Sequence, residues 1–246
     1  MTSLLGFGPT NRVSRSAPIG GPTRQRFGTL RWQAPAARLT HDLTGGGPFL
    51  DGFVKQKAAR GQEKKPYPRK ASHLALFAAW EFAAQGKRTL IFSTQANWVE
   101  GYGKIVVALC KRGYLDSLLD DETRIARALE VGREWLGDEH PAVACLKLGV
   151  AIHHGRLPRP FLRELEMLLS EGVLKVIVAS PTLSQGLDLN AAVLLVPSLY
   201  RSGALITGEE FAKMSDTDAQ QTEELGLRWP QEDDKVFVKA HDLRGA

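Results

Sequence analysis

Hydrophobic and polar positions follow two regimes along the chain, and they change over near Lys70. Before that point the apolar residues come in short alternations. Phe27–Trp32 reads as a strand, Ala37–Leu43 as its ribbon partner, and Phe49–Val54 as one more short strand. Thr44–Pro48 is a glycine-rich turn, and the charged, proline-punctuated Gly61–Pro68 marks a boundary. Beyond it the periods lengthen. Ser72 is placed to cap a helix carrying Leu74, Leu76, Phe77, Trp80 and Phe82, which ends near Gly86. Thr89–Ser93 then reads as a strand and Asn97–Arg112 as a helix. From 114 to 146 the residues Leu115, Leu118, Leu119, Ile125, Leu129 and Trp135 recur at helical spacing, which predicts a helical stretch with a core-facing stripe. Leu146–His153 is the next strand, and a helix follows with Pro158 at its first position and Gly172 beyond its end. Two apolar runs close the pattern, at Val176–Val178 and at Ala191–Pro197. Alternating strands and helices of this kind predict an α/β fold with a parallel sheet and helices on both faces.

The stretch Leu174–Leu189 organises the rest. It opens as a β-branched run suited to a strand buried on both faces, then breaks into Ser180, Pro181, Thr182, Ser184, Gln185, Gly186 and Asp188. Ligands of open parallel sheets bind beyond the carboxyl ends of the strands, so a site is expected at this step. The string Val178-Ala-Ser-Pro-Thr-Leu-Ser-Gln-Gly-Leu-Asp-Leu189 resembles a motif of the second RecA-like domain of superfamily-two DEAD/DEAH-box helicases, in the Ski-type branch. Gly149-Val-Ala-Ile-His-His-Gly155 resembles the element that precedes it there, and Thr89-Leu-Ile-Phe-Ser-Thr94 the first strand of the same domain. Between the two later elements, the string Arg163-Glu-Leu-Glu166 in the helix after Pro158 resembles the helix that separates them in that family. Four matches in order, over residues 70–214, are more specific than any one of them. The resemblance implies a RecA-like domain at 70–214, a basic linker or extension at 1–69, and a divergent tail at 215–246.

Charge sharpens this division. Residues 1–70 hold 13 Lys/Arg against 3 Asp/Glu, a balance of +10, while the remainder holds 19 against 24, a balance of −5. A basic segment attracts phosphates through Coulomb forces and counterion release, and it equally suits a solvated linker. Cys110 and Cys145 have neither metal-ligand nor disulfide-framework spacing, so a reducing, cytoplasmic setting is expected. No apolar run reaches the ~20 residues of a membrane span, and no membrane partner is expected.

The candidate chemistry follows from the motifs. Ser93 and Thr94 end a strand, where hydroxyls either cap the turn or hold a phosphate; the resemblance implies contact with the nucleic-acid strand, and the same for Thr182. His153 and His154 are adjacent on a strand, so they point to opposite faces and do not form a zinc site. The resemblance has His154, Gly155 and Arg156 leading the chain toward the nucleic acid, with Arg159 and Arg163 adding positive charge or simply opening a solvated helix. Gly186 permits close backbone approach and Asp188 accepts from ribose hydroxyls, which makes them the nucleotide-binding candidates; capping of a local turn is the other reading of Asp188.

ATP is the cofactor that the resemblance implies, with its magnesium held by a first RecA-like domain that this chain lacks. No Gly-x-x-x-x-Gly-Lys-Ser/Thr string and no Asp-Glu-x-His/Asp string occurs. Where the family reads Gly-Arg-Ala-Gly-Arg, whose arginines neutralise the transferring phosphoryl group, this chain reads Asp216-Thr-Asp-Ala-Gln-Gln221. The expected function is therefore the C-terminal domain of an ATP-dependent helicase, binding single-stranded nucleic acid and closing on ATP held by a separate domain. Alone, it is expected to be inactive as an ATPase, with no catalytic residue of its own. The alternatives are a non-catalytic nucleic-acid-binding or regulatory module on the same fold, and an unrelated α/β enzyme.

Overall fold

The structure is a computed structural model that describes residues 26–40, 49–180, 192–198, 200–201, 204–205 and 235–240. The elements run in chain order as β1 (Arg26–Gln33), β2 (Ala36–Thr40), β3 (Phe49–Lys55), α1 (Ala71–Ala84), β4 (Thr89–Phe92), α2 (Ala96–Lys111), α3 (Ala126–Leu136), α4 (Pro141–Leu146), β5 (Val150–His153), α5 (Arg159–Ser170), β6 (Val176–Ala179) and β7 (Val193–Val196). A two-residue hairpin, β8 (Tyr200–Arg201) with β9 (Ala204–Leu205), and the strand β10 (Lys235–Ala240) complete them.

Four strands, in the order β7-β4-β6-β5, form a parallel sheet flanked by helices. This is an α/β fold consistent with a RecA-like arrangement. Every residue of β5, β6 and β7 is buried, as the continuous apolar runs require when both faces of a sheet are covered. Ile91 lies opposite Val178 on one side and Leu195 on the other, so β4, like β6, is an interior strand of this half.

The sheet does not stop at β7. It continues through β10, β1, β2 and β3, each antiparallel to its neighbour, to make eight described strands. The short strands expected before residue 55 are present, and the ribbon of β1 and β2 joins the main sheet by way of β10. Residues 235–240, read in sequence as part of a divergent tail, supply that joining strand.

Several boundaries differ from the sequence expectation, for local reasons. Helix α1 is capped by Lys70 in extended conformation without a side-chain cap bond, and Ser72 falls inside its first turn. The Leu74 amide already donates to the Lys70 carbonyl at 3.0 Å, which starts the helix two residues early. The 114–146 stretch is not one helical run. A 3₁₀ turn at Glu122–Ile125, whose N-cap Asp121 accepts from the Thr123 amide at 2.9 Å, leads into α3. Gly137, at φ +82°, then breaks the chain before Pro141 opens α4. Trp135, expected in the core stripe, is 56 % exposed, because α3 buries Ala128, Val131 and Gly132 instead. Leu146 ends α4, and β5 begins only at Val150.

The charged segment around Gly61–Pro68 is tied down. Lys57 and Tyr67 form an isolated antiparallel bridge, the Arg60 amide donates to the Tyr114 hydroxyl at 2.7 Å, and Lys57 Nζ donates to the Tyr114 carbonyl at 2.8 Å. Glu63 pairs with Arg69 at 2.6 Å and with Arg112 at the end of α2. The hydrogen bond from Arg69 holds its carboxyl below the usual carboxylate range.

Candidate nucleic-acid interface

The carboxyl ends of β4, β6 and β5 are held level by backbone bonds that extend the ladder one residue past β4 and β6. The Ser93 amide donates to the Ala179 carbonyl at 2.8 Å, and the Ser180 amide donates to the His153 carbonyl at 3.2 Å. Ser93, Ser180 and His154 therefore leave the sheet side by side. The chain turns sharply after β5, with the Leu157 amide bonded to the His154 carbonyl at 3.1 Å, so that Gly155 and Arg156 occupy the exposed corner.

That corner is latched to the start of α2. Arg156 Nη2 donates to Asn97 Oδ1, spanning the gap between the loops that follow β4 and β5. Sequence reading marked Asn97 only as the beginning of a helix, because nothing in local periodicity pairs it with an arginine 59 positions away. The surface around this latch is formed by Gly155, Arg156, Arg159, Asn97 and Trp98, all exposed. Arg159 and Arg163 make no ion pair among the described residues, which leaves their charge open to solvent.

The buried members of the predicted site behave differently. Ser93 is 4 % and Thr94 6 % exposed. The Ser93 hydroxyl donates to the Gln95 carbonyl at 3.3 Å, so it shapes the turn into α2. His154 is 1 % exposed. Its side chain is therefore not on the surface, and Gly155 and Arg156 are the parts of this element that a ligand meets.

The two histidines do point to opposite faces. His153 Nε2 lies 3.3 Å from Glu166 on α5, and His154 Nε2 lies 3.3 Å from Glu100 on α2, so these two helices cover opposite sides of the sheet. Burial lowers the pKa of both rings, opposed at His153 by its hydrogen bond to the Glu166 carboxylate and at His154 by the charge of Glu100. Arg156, His153 and His140 lower His154 further. The His154–Glu100 approach is close but not aligned as a hydrogen bond, and both ring nitrogens of His154 lack a hydrogen-bond partner among the described residues. Burial decides the direction at each ring, and both are neutral at pH 7.

Thr182, Gly186 and Asp188 lie outside the described residues. Among the described residues no three His, Cys, Asp or Glu side chains gather to hold a metal, and no helix is long and apolar enough to cross a membrane. No family model matches the chain. Five of the eight predicted site residues are thus brought to one edge, namely Ser93, Thr94, His154, Gly155 and Arg156, with the first three buried there.

Proposed function

We propose that this chain is a RecA-like module derived from the C-terminal half of a superfamily-two helicase, and that it grips a single strand of nucleic acid at the carboxyl edge of its parallel sheet. The observation that carries the reading is the convergence of the Ser93–Thr94 loop and the Gly155–Arg156 corner, joined through Asn97. A guanidinium held in place by a neutral amide keeps its full charge for a phosphate, and a glycine beside it lets the backbone approach closely. Backbone contacts of this type bind without reading sequence.

The residues assigned to ATP lie outside the described part, so no step involving the nucleotide enters this reading. The missing Walker strings and the acidic Asp216–Gln221 favour a second reading beside it, a non-catalytic binding module. Both share the strand-gripping step, and both leave the chain alone without ATP hydrolysis. The expectation is no phosphate release from ATP above background with the chain alone.

The test is fluorescence anisotropy with labelled single strands at several salt concentrations. Binding is expected to weaken with salt at a slope of about −0.7 per phosphate contacted. Arg156→Ala is expected to reduce that slope by about one contact and to weaken binding to all sequences alike. Salt-independent binding, or an Arg156→Ala protein that binds as the parent does, refutes the reading.

A further inference from the structure

A second candidate site lies away from the histidine corner, on the far half of the same sheet edge. Strand β1 runs parallel to β7, because both pair antiparallel with β10. Trp32, next to last in β1, therefore stands at the carboxyl edge. Helix α1 leads through Gly86 into the start of β4, so its other end, at Lys70 and Ala71, lies at that edge too. Between them is a cavity of about 210 Å³ lined by Trp32, Pro68, Arg69, Lys70, Ala71 and Leu74.

The walls divide by chemistry. Trp32, Pro68, Ala71 and Leu74 give apolar, partly flat surfaces on which a ring can stack. Both charged residues of the lining are cationic, and among the described residues no carboxylate lines the cavity. Arg69 is already committed, bonded to Glu63 and lying 4.0 Å over the Tyr67 ring. Lys70 is exposed and forms no ion pair among the described residues. As the cap of α1 it has no side-chain bond to the helix amides, and no acidic residue occupies the first turn. Nothing among the described lining residues therefore balances its charge.

We propose that this cavity binds a planar ring bearing an anionic group, in the class of a nucleoside monophosphate, with the ring against Trp32 and the phosphate at Lys70. The volume falls below the roughly 300 Å³ at which pockets for drug-sized ligands begin, so one ring and one charged group fill it. Two sources carry that chemistry: a free mononucleotide, or the 5′-phosphorylated end of a strand. The site stands independently of the strand-gripping reading, since it shares no residue with it.

The experiment follows tryptophan fluorescence of the full chain during titration with adenosine 5′-monophosphate, adenosine, inorganic phosphate, and short single strands with and without a 5′-phosphate. Trp32→Phe identifies the signal that comes from this indole. Saturable quenching is expected with the monophosphate or with the 5′-phosphorylated strand, absent in Trp32→Phe and weakened about tenfold in Lys70→Gln, a loss of about 1.4 kcal/mol. Adenosine is expected to bind more weakly than its monophosphate. Lys70→Gln is expected to melt as the parent does, because the side chain is exposed. Saturation by the monophosphate identifies the free nucleotide as the source, and saturation only by the phosphorylated strand identifies the strand end. Neither saturating by about 10 mM, or Lys70→Glu binding both as tightly as the parent, overturns the proposal.

Discussion

At the scale of single residues, three buried histidines make the molecule sensitive to mild acid. His73 is the sharpest case: burial, with Lys70 and Arg69 nearby, takes its pKa from the ordinary 6.5 down to about 4. Its Nδ1 accepts the Arg69 amide at 3.3 Å, a role open only to the neutral ring. A base whose pKa is depressed on folding leaves the unfolded chain holding more protons between the two values. Stability is then full above pH ~6.5 and falls as the pH drops toward ~4, by at most about 3 kcal/mol for this residue. His153 and His154 are shifted in the same direction by burial and add to the loss. Urea denaturation at pH 7 and pH 5 is expected to show a smaller drop for His73→Gln than for the parent. An equal drop in the two proteins excludes His73 as the source.

At the scale of elements, glycines set how tightly the helical excursion between β4 and β5 docks. Gly149 turns the chain from α4 into β5 at φ +76°, and an added Cβ there would lie 2.7 Å from the Leu119 amide nitrogen. The obstruction is backbone, which does not yield, and the Leu118 amide is bonded to the Leu148 carbonyl beside it. Gly149→Ala is expected to destabilise by roughly 2–4 kcal/mol through combined steric and φ strain. At Gly132, where α3 packs on α5, an added Cβ would lie 2.8 Å from the Phe161 ring. That neighbour is a side chain, so Gly132→Ala is expected to cost less, roughly 1–3 kcal/mol. Chemical denaturation of both variants checks the order, and a Gly132 variant less stable than the Gly149 one contradicts the argument.

At the scale of the whole molecule, one strand joins the two halves of the sheet. Thr29 and Val196 both lie opposite Phe237, so β10 carries the ladder from β7 to β1. Truncation before residue 235 exposes two strand edges at once and is expected to lower the melting temperature by about 10 °C, at roughly 2–4 °C per kcal/mol for a chain of this size. A truncated protein that melts with the parent would show that the ladder adds nothing to stability. The same connectivity bears on any test of the basic N-terminal segment. Removing residues 1–68 deletes β1, β2 and β3, whereas removing 1–25 takes basic charge away and leaves every described strand in place.

Much of the parallel half was legible in the chain alone. Continuous apolar runs at Val176–Val178 and Ala191–Pro197 meant strands covered on both faces, and helical periods between strands meant crossovers. The edge carrying Ser93, Gly155 and Arg156 followed from strand ends. Local pattern reports only what neighbours a few positions away require. It gave no sign that Lys235–Ala240 intercalates between strands some 40 and 200 positions earlier, because such a ladder is made by backbone groups that every residue carries. Nor did it pair Arg156 with Asn97 or send His153 and His154 to Glu166 and Glu100. Those partners were decided when tertiary packing brought α2 and α5 against opposite faces of β5 and buried both rings beyond reach of solvent.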